Sequence, residues 1–341
     1  MKNLPVIGIT MGDPSGIGPE IIMKALSDQE IYRYCIPVIF GDPGILSGVP
    51  EKTAKGSINE ISGPEQAHGT PGQIDLIPVS RLKKDDFIPG HPSLNGGKAM
   101  TEYIIRAVEA ALSRDIGAMV TCPINKSLMN RAGYGFSGHT QLIAYLTGTK
   151  DYVMMLAGER LRVTLVTIHC ALKDVPANIT SRNVYKTIVI SFKALKKDFG
   201  IKNPRIAVAA LNPHAGESGL FGSEEEKIIV PAIKKAAEDG CKVTGPFPAD
   251  TLYFKAISGQ FDAVVSMYHD QGLIPLKLLH FSDAVNVTLG LPIIRTSVDH
   301  GTAYDIAGKG HADPSSLTAA IRMSLNMVKN RSHKMEDREQ G

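Results

Sequence analysis

The chain has 341 residues, which is long for one hydrophobic core and predicts two lobes. Hydrophobic residues make up 43% and charged residues 21%, with a formal net charge of +3, so the composition excludes a basic nucleic-acid-binding surface. No apolar run reaches membrane-spanning length, and the sequence is apolar only from residue 5 to residue 10 at its start, so we expect neither a membrane anchor nor a signal peptide. The four cysteines stand apart without a CxxC pair, which favours reduced thiols in the cytoplasm.

A buried strand is predicted over residues 5–10, followed by a glycine-rich turn, TMGDPSGIGPE, and a helix over residues 21–26. Such a turn between strand and helix can hold an anion at the helix N-terminus. However, Gly16 and Gly18 lack the third glycine of the dinucleotide-binding fingerprint. A tight turn capped by Asp13 and Ser15 is therefore an equal alternative.

The next elements alternate between strand and helix. Strands are predicted over residues 36–40 and 118–122, with an amphipathic helix over residues 97–115. Residues 51–92 are rich in glycine and proline and predict surface loops with a short strand near residues 74–79. Residues 136–141, FSGHTQ, lead into a helix over residues 142–146, where His139 and Thr140 could bind a phosphate. His139 as a helix cap is the alternative.

Three predicted strands each end near one histidine. Strands over residues 161–168, 206–211 and 263–267 precede His169, His214 and His269. Because parallel strands bring their carboxyl ends to one edge of a sheet, the three imidazoles could converge there. Three neutral imidazoles that leave an open position are typical of a catalytic divalent metal site, whereas a single such histidine is more often a packing residue.

Two helix starts in this half contain carboxylates. Residues 223–226, SEEE, form a capping box that opens a helix through residue 237, so capping is a better interpretation of these glutamates than metal binding. Asp250 in the PADT sequence is either a helix cap or a site carboxylate. A last helix is predicted over residues 314–328, with a mobile charged tail over residues 329–341.

Residues 261–310 gather the polar groups that suggest an active site. A buried strand ends at YHDQG, which places Asp270 beside His269. Lys277, Asn286 and Arg295 follow, and such side chains bind phosphate or carboxylate. The glycines of residues 300–310, HGTAYDIAGKG, would let the backbone approach a ligand closely.

The HGTAYDIAGKG sequence, with ADP at residues 312–314, resembles the cofactor loop of isocitrate and isopropylmalate dehydrogenases, and GIGPE at residues 16–20 resembles their N-terminal turn. The resemblance implies a two-lobed α/β/α fold with an active-site cleft between the lobes and no classical Rossmann fingerprint. It implies an NAD-binding lobe of residues 1–130 with 290–341 and a metal, substrate and dimerisation lobe of residues 131–289. NAD is favoured over NADP because no basic pair for a 2′-phosphate is evident. The implied cofactor-binding residues are His300, Gly301, Thr302, Ala303, Asp305 and Gly308.

A closer resemblance, spread over residues 10–310, is to the 4-hydroxythreonine-4-phosphate dehydrogenase family with its D-threonate and D-erythronate 4-phosphate dehydrogenase paralogues. It is carried by TMGDPSGIGPE, GHT, LNPHAGE, PADT, YHDQGL and NVTLGLPIIRTSVDHGTA. The family implies a homodimer whose active site is shared across the interface, and a divalent metal, zinc, magnesium, manganese or cobalt, on His169, His214 and His269. The implied substrate-binding residues are His139, Thr140, Lys277, Asn286 and Arg295, and the implied catalytic residues are Lys277, Asp250 and Asp270.

The implied reaction is NAD-dependent oxidation and decarboxylation of 4-phosphooxy-L-threonine to 3-amino-2-oxopropyl phosphate. Gln141 and the LLHFSDA sequence at residues 278–284 depart from the biosynthetic pattern beside the substrate residues. A D-threonate or D-erythronate 4-phosphate substrate, which would give dihydroxyacetone phosphate, is therefore the alternative. Two other functions are disfavoured. A metal-dependent phosphoester hydrolase would have no use for the nicotinamide loop, and a protein without catalytic activity would not need every polar site residue.

Overall fold

The computed structural model describes residues 4–50, 53, 56–83 and 86–339, with the side chains of the last helix described as far as residue 332. The chain divides into two compact units, residues 1–150 with 291–329 and residues 151–290 with 330–341. Both are built from alternating strands and helices, so the predicted α/β class is confirmed. The division of roles between an NAD-binding lobe and a metal and substrate lobe stays a prediction.

The first unit is a parallel sheet. Every pairing of its strands is parallel, in the order β3-β4-β2-β1-β5-β12. Buried runs such as VIGIT and AMVT show the continuous apolar character of strands covered on both faces. The strands are β1 Val6–Thr10, β2 Ile36–Gly41, β3 Ser57–Glu60, β4 Gln73–Pro78, β5 Ala118–Thr121 and β12 Arg295–Val298.

Helices α1, α2 and α4 of the first unit each follow the carboxyl end of a strand, whereas α3 and α5 begin after longer connections. Helix α3 starts after Ser93, whose hydroxyl accepts a hydrogen bond from the Gly96 amide, and Tyr103 on its inner face is fully buried. Helix α2 is capped in the same way by Asp42. The helices are α1 Gly18–Leu26, α2 Pro43–Ser47, α3 Leu94–Leu112, α4 Lys126–Arg131 and α5 His139–Leu146.

The second unit has a mixed sheet in the order β11-β6-β7-β10-β8-β9. Strand β6 is antiparallel to both β11 and β7, whereas the pairings of β7 with β10, β10 with β8 and β8 with β9 are parallel. The predicted strands at residues 161–168, 206–211 and 263–267 correspond to β7, β8 and β10. The strands are β6 Val153–Ala157, β7 Arg162–Leu165, β8 Ile206–Ala209, β9 Val243–Phe247, β10 Ala263–Ser266 and β11 Val285–Leu289.

Helices α9 and α10 pack against this sheet through one apolar cluster that includes Leu252 and Leu276. Gly272 allows the close approach of α10, because a Cβ there would lie 2.5 Å from Val163 Cγ1. His269, the first residue of α10, is therefore held near the strand ends. The helices are α6 Val175–Asn178, α7 Ser181–Lys197, α8 Val230–Glu238, α9 Ala249–Ile257 and α10 His269–Leu279.

The last helix, α11 Ser315–Glu339, continues well beyond the predicted end at residue 328. The segment predicted as a mobile tail from residue 329 is therefore helical as far as residue 339, and residues 340 and 341 lie outside the described residues. Two side chains early in this extension bind Asp198 within the second unit, to which they belong. Asn330 Nδ2 donates to the Asp198 carbonyl at 2.8 Å, and Arg331 forms a 2.7 Å ion pair with the buried Asp198 carboxylate. These contacts stabilise a charged segment that composition alone marks as solvent-exposed.

All four cysteines are free thiols, as expected, with Cys170 exposed and the others buried. Burial raises the pKa of Cys35 to about 12, which disfavours its reactive thiolate. Within the described part of the chain, no helix is both long enough and apolar enough to cross a membrane.

Candidate functional site

The three predicted histidines follow three adjacent parallel strands. Strand β10 pairs with β7 on one side and with β8 on the other, so the carboxyl ends of all three strands lie at one edge. His169 follows β7, His214 follows β8, and His269 begins the helix after β10. The topology therefore places the three residues as the sequence predicted.

His169 and His269 lie side by side, with ring centroids 5.7 Å apart. His269 Nδ1 is 2.7 Å from Asp270 Oδ1, so a hydrogen on Nδ1 would donate to the carboxylate. This is the carboxylate–imidazole arrangement that orients metal-binding histidines. Asp270, predicted as a catalytic residue, is exposed and in position to orient His269.

His214 lies in a left-handed backbone segment. Residues 214–218 all have positive φ, with values of 52° at His214, 57° at Ala215, 43° at Glu217 and 56° at Ser218. A left-handed conformation costs a residue with a Cβ roughly 1–2 kcal/mol, and consecutive residues seldom adopt it. Surrounding contacts must therefore hold this segment, and strain of this kind clusters at functional sites.

Glu225 binds the chain just before this segment. Its Oε1 accepts hydrogen bonds from the backbone amides of Leu211 at 2.9 Å and Asn212 at 2.8 Å. Its Oε2 accepts from Asn212 Nδ2 at 3.0 Å, and the Glu225 residue is only 3% exposed. The prediction that this glutamate is a helix cap was wrong, because its carboxylate binds the amides of another segment.

The histidines suit a divalent cation in chemistry, because neutral imidazole is a common ligand for zinc and cobalt. Their spacing in this structure fits only in part. His169 and His269 form a pair, but no three histidine, cysteine or acidic side chains among the described residues are gathered closely enough to hold one ion. His214 instead lies against Phe221, with ring centroids 6.1 Å apart.

The other predicted residues of the second unit lie on α9, α10 and β11. Asp250 is exposed in the first turn of α9. Lys277 lies seven residues after Asp270 on α10, and seven residues are close to two helical turns, so both side chains are on one face of the helix. Asn286 on β11 has a buried Oδ1 that accepts no hydrogen bond from a described residue. A buried acceptor of this kind is a candidate contact for a ligand.

In the first unit, the buried Arg295 and the half-buried His139 form a basic site. Arg295 is 2% exposed and donates to Thr121 Oγ1 at 2.7 Å, and burial lowers its guanidinium pKa to about 9. Burial, together with the charge of Arg295, holds the His139 pKa well below its usual value, so this imidazole is neutral at pH 7. His139 Nε2 is buried and has no hydrogen-bonding partner among the described residues. A buried cation beside such an imidazole is suited to an anion.

The neighbouring residues are arranged around the start of α5. His139 and Thr140 are its first two residues, after Gly138 with a φ of 150°. The exposed Gln141 side chain accepts a 2.6 Å hydrogen bond from the Ser137 amide. Because Gln141 holds its own turn through an oxygen that glutamate also has, its identity carries little information about the substrate.

The predicted cofactor loop, residues 300–310, is bound to the turn after β1. Tyr304 Oη donates to Asp13 Oδ2 at 2.5 Å, and the Ile17 amide donates to the Thr302 carbonyl at 3.0 Å. A Cβ on Gly16 would lie 3.0 Å from the same carbonyl oxygen. The predicted cofactor loop and the glycine-rich turn after β1 therefore form one surface.

The end of the loop is held by α1. Glu20 accepts from the Gly310 and Ala312 amides at 3.2 and 2.8 Å, and Lys24 Nζ donates to their carbonyls at 2.9 and 2.6 Å. Glu20 and Lys24 also form a 3.0 Å ion pair. Neither residue was singled out from the sequence, because a glutamate and a lysine four residues apart are common on exposed helix faces.

A pocket of about 220 Å³ lies beside this surface. Gly16 and Pro14 of the first turn and Gly308 of the loop contribute to it, and Gly308 has a φ of 73°. The remaining wall is largely apolar, as is usual for pockets that bind flat organic groups. It is formed by Pro19, Glu20, Ile45, Gly48, Val49, Pro50, Thr53, Phe87 and Pro89.

Three features together define an enzyme of the α/β class. They are the two α/β units with polar groups at strand ends, the basic site and the glycine-bordered pocket. Residues 33–324 match the family described as pyridoxal phosphate biosynthetic protein PdxA. The chain is 54% identical over 323 residues to 4-hydroxythreonine-4-phosphate dehydrogenase of Desulforapulum autotrophicum, covering 94% of this chain and 95% of that relative. It is 46% identical over 336 residues to D-threonate 4-phosphate dehydrogenase of Cupriavidus necator, covering 96% and 98%.

Solved structures agree with these relatives. The crystal structure of 4-hydroxythreonine-4-phosphate dehydrogenase from Klebsiella pneumoniae matches with a TM-score of 0.88 at 39% identity, covering 95% of this chain and 99% of that chain. The chain therefore belongs to the pyridoxal phosphate biosynthetic protein PdxA family and is a dehydrogenase. The resemblance stated from the sequence is confirmed.

Proposed function

We propose that this protein catalyses NAD-dependent oxidation of 4-phosphooxy-L-threonine at C3, followed by loss of carbon dioxide to give 3-amino-2-oxopropyl phosphate. The observation that carries the proposal is the buried Arg295 beside the half-buried His139 in a chain of this family. A substrate with both phosphate and carboxylate needs fixed cationic groups, and a guanidinium binds either anion through two parallel hydrogen bonds. The 54% identity to a named 4-hydroxythreonine-4-phosphate dehydrogenase supports this substrate.

The residues of the chain have distinct proposed roles in binding and proton transfer. Arg295 holds an anionic group of the substrate, and neutral His139 accepts a hydrogen bond from a substrate hydroxyl or donates one to the anion, depending on its tautomer. Thr140 adds a hydroxyl at the start of α5, and Asn286 Oδ1 accepts from a substrate hydroxyl or amine. Lys277 is proposed to take the proton of the C3 hydroxyl, with Asp250 and Asp270 as the neighbouring carboxylates.

NAD, when bound, accepts the hydride from C3. We propose that the loop of residues 300–310 binds it, through His300, Gly301, Thr302, Ala303, Asp305 and Gly308. The apolar pocket beside Gly308 supports this site, because apolar walls are typical of pockets that bind organic ligands. Its contacts to Gly16 extend the proposed site to the turn after β1, so that both glycine-rich segments bind one dinucleotide.

A divalent metal, zinc, magnesium, manganese or cobalt, is proposed on His169, His214 and His269. When bound, it would act as a Lewis acid toward the substrate oxygens. The 5.7 Å pair of His169 and His269 and the Asp270 hydrogen bond support two of the three ligands. Because the spacing fits only this pair, the roles proposed for Arg295, His139 and Lys277 do not depend on the metal. Metal analysis of protein purified without chelators, compared with His214→Ala and His269→Ala, would test the assignment.

The proposed homodimer is supported by the exposed face of α10. Leu273 and Leu276 on the inner face pack in the core, yet Ile274, Leu278 and the adjoining Phe281 are 59%, 82% and 84% exposed. A helix that is apolar on both faces is normally covered on both. Asp270 and Lys277 lie on the same outer face, so a second subunit bound there would lie beside catalytic residues.

D-Threonate 4-phosphate is the second candidate substrate, because a relative with that name is 46% identical over almost the whole chain. The experiment that tests both is NADH formation with 4-phosphooxy-L-threonine, D-threonate 4-phosphate and D-erythronate 4-phosphate, with mass spectrometry of each product. An amino ketone phosphate supports the first proposal, and dihydroxyacetone phosphate supports the second. Inorganic phosphate released without NADH would contradict both.

A further inference from the structure

The carboxyl ends of β8 and β10 are joined by the side chain of Gln271. Its Nε2 donates to the Ala210 carbonyl at 2.7 Å, and its Oε1 accepts from the Met267 amide at 2.7 Å. Gln271 lies two residues after His269 on α10, and Ala210 directly follows β8. One amide thus connects the strand that leads to His214 with the strand that leads to His269.

Glu225 continues this set of contacts along the chain. Gln271 binds the Ala210 carbonyl, and Glu225 then binds the amides of Leu211 and Asn212. The carboxylate also lies beside the middle of the left-handed segment, where a Cβ added to Gly216 would come within 2.8 Å of Glu225 Oε2. Three successive residues before the segment are therefore hydrogen-bonded to these two side chains, and its central glycine lies next to one of them.

We propose that Glu225 and Gln271 are positioning residues that hold the left-handed segment and thereby set the position of His214 relative to His269. This proposal rests on the proposed function in one respect, which is that His214 is a metal ligand. Residues that orient metal ligands typically change affinity or activity by about 10–100-fold when they are replaced.

A helix-capping role does not account for these contacts. A cap binds the amides of its own helix, whereas the Glu225 carboxylate accepts from amides before the helix begins, 13 and 14 residues earlier in the chain. Glu226, the next residue, is exposed and provides a matched control at the same helix end.

Glu225→Ala is compared with Glu225→Gln and Glu226→Gln by hydrogen–deuterium exchange over residues 210–219 and by titration with cobalt(II) alone. Glutamine keeps an oxygen that can accept both backbone amides, so it should restore most of what alanine loses. We expect exchange in Glu225→Ala to be about 10-fold faster or more, with cobalt affinity about 10-fold weaker. Glu226→Gln should match the wild type in both measurements.

The proposal is overturned if Glu225→Ala behaves as Glu226→Gln does, or if Glu225→Gln loses as much as Glu225→Ala. Gln271→Leu leaves Glu225 in place and is a second variant for the same two measurements. The test therefore does not depend on whether Glu225→Ala folds. Failure of the wild type to form NADH with the candidate substrates would contradict the proposed function, whereas hydrogen exchange would still test whether Glu225 holds the segment.

Discussion

Tyr304 donates a 2.5 Å hydrogen bond to Asp13 across 291 positions of the chain. The Tyr304 hydroxyl also accepts from Asn125 Nδ2 at 2.9 Å, so one side chain binds the proposed cofactor loop to two strand ends. Burial is the main cause of a raised pKa at Asp13, and the hydrogen bond from Tyr304 partly opposes it. The loop is thus held in place by contacts that do not require the cofactor.

Tyr304→Phe should loosen the proposed NAD site without unfolding the protein. It removes the only hydroxyl of that side chain and leaves the buried Asp13 with one donor fewer, which should cost about 1–3 kcal/mol of unfolding free energy. We expect KM for NAD to rise about 10-fold, which corresponds to about 1.4 kcal/mol, with a smaller change in the substrate KM. Steady-state kinetics and urea unfolding measure the two effects. Tyr145→Phe, at a 71% exposed tyrosine, is the control; an unchanged KM for NAD in Tyr304→Phe would argue against the loop as the site.

Stability should depend on pH through His139. Burial lowers the His139 pKa in the folded state, so the unfolded state binds the proton more tightly, with its ordinary value of 6.5. The contribution of His139 to the free energy of unfolding is complete when the pH is above the pKa of the unfolded state. It is lost as the pH falls from there toward the pKa of the folded state, with a slope of at most about 1.4 kcal/mol per pH unit. Urea unfolding from about pH 7 to about pH 5 should show a smaller loss for His139→Gln than for the wild type. His311→Gln, at an exposed histidine, should follow the wild type, and parallel curves for all three proteins would refute the expectation.

The strands of the second unit that lead to the histidines could be predicted because each is a short apolar run followed by polar residues. Strand β11 and strand β12 were not predicted, although they contain Asn286 and Arg295. The pairing of β11 with β6 joins residues more than 100 positions apart, so no local pattern indicates it. These side chains were identified by their chemistry, and their strands only by the fold.

Helix α7 was also not predicted, although Val184, Ile188 and Leu195 recur at helical spacing, so this signal was present in the sequence. The sequence contains no comparable signal for the role of Glu225. A glutamate in a first helical turn has one local interpretation, which is capping, and only the fold shows that it binds a segment 13 and 14 residues earlier. The same limit applies to Tyr304 and Gln271, whose partners are distant in the chain or on a neighbouring strand.

Arg295→Lys should weaken substrate binding more than it slows turnover. Lysine keeps the positive charge but lacks the planar fork that binds an anion through two hydrogen bonds. We expect the substrate KM to rise about 10-fold or more and KM for NAD to change little, which steady-state kinetics in both substrates would show.

Because burial lowers the Arg295 pKa to about 9, the wild-type substrate affinity should also fall as the pH is raised through that value. Arg81→Lys, at an exposed arginine paired with Glu60, should leave both KM values unchanged; a substrate KM that is equal in all three proteins would remove Arg295 from the anion site.

Ile274→Glu should separate the proposed dimer into monomers. The change places a charge in the middle of the exposed apolar face formed with Leu278 and Phe281, and a buried charge without a partner costs several kcal/mol in an interface. The fold of each subunit should survive, because Ile274 is 59% exposed and the core side of α10 is formed by Leu273 and Leu276. Sedimentation equilibrium should give the mass of one chain for Ile274→Glu and of two chains for the wild type, and activity should fall with dimer content because Asp270 and Lys277 lie on the same face.

Leu172→Glu, at a leucine that is 71% exposed outside α10, is the matched control and should stay dimeric. A wild type that sediments as a single chain with full activity would show that this face of α10 does not form the active enzyme.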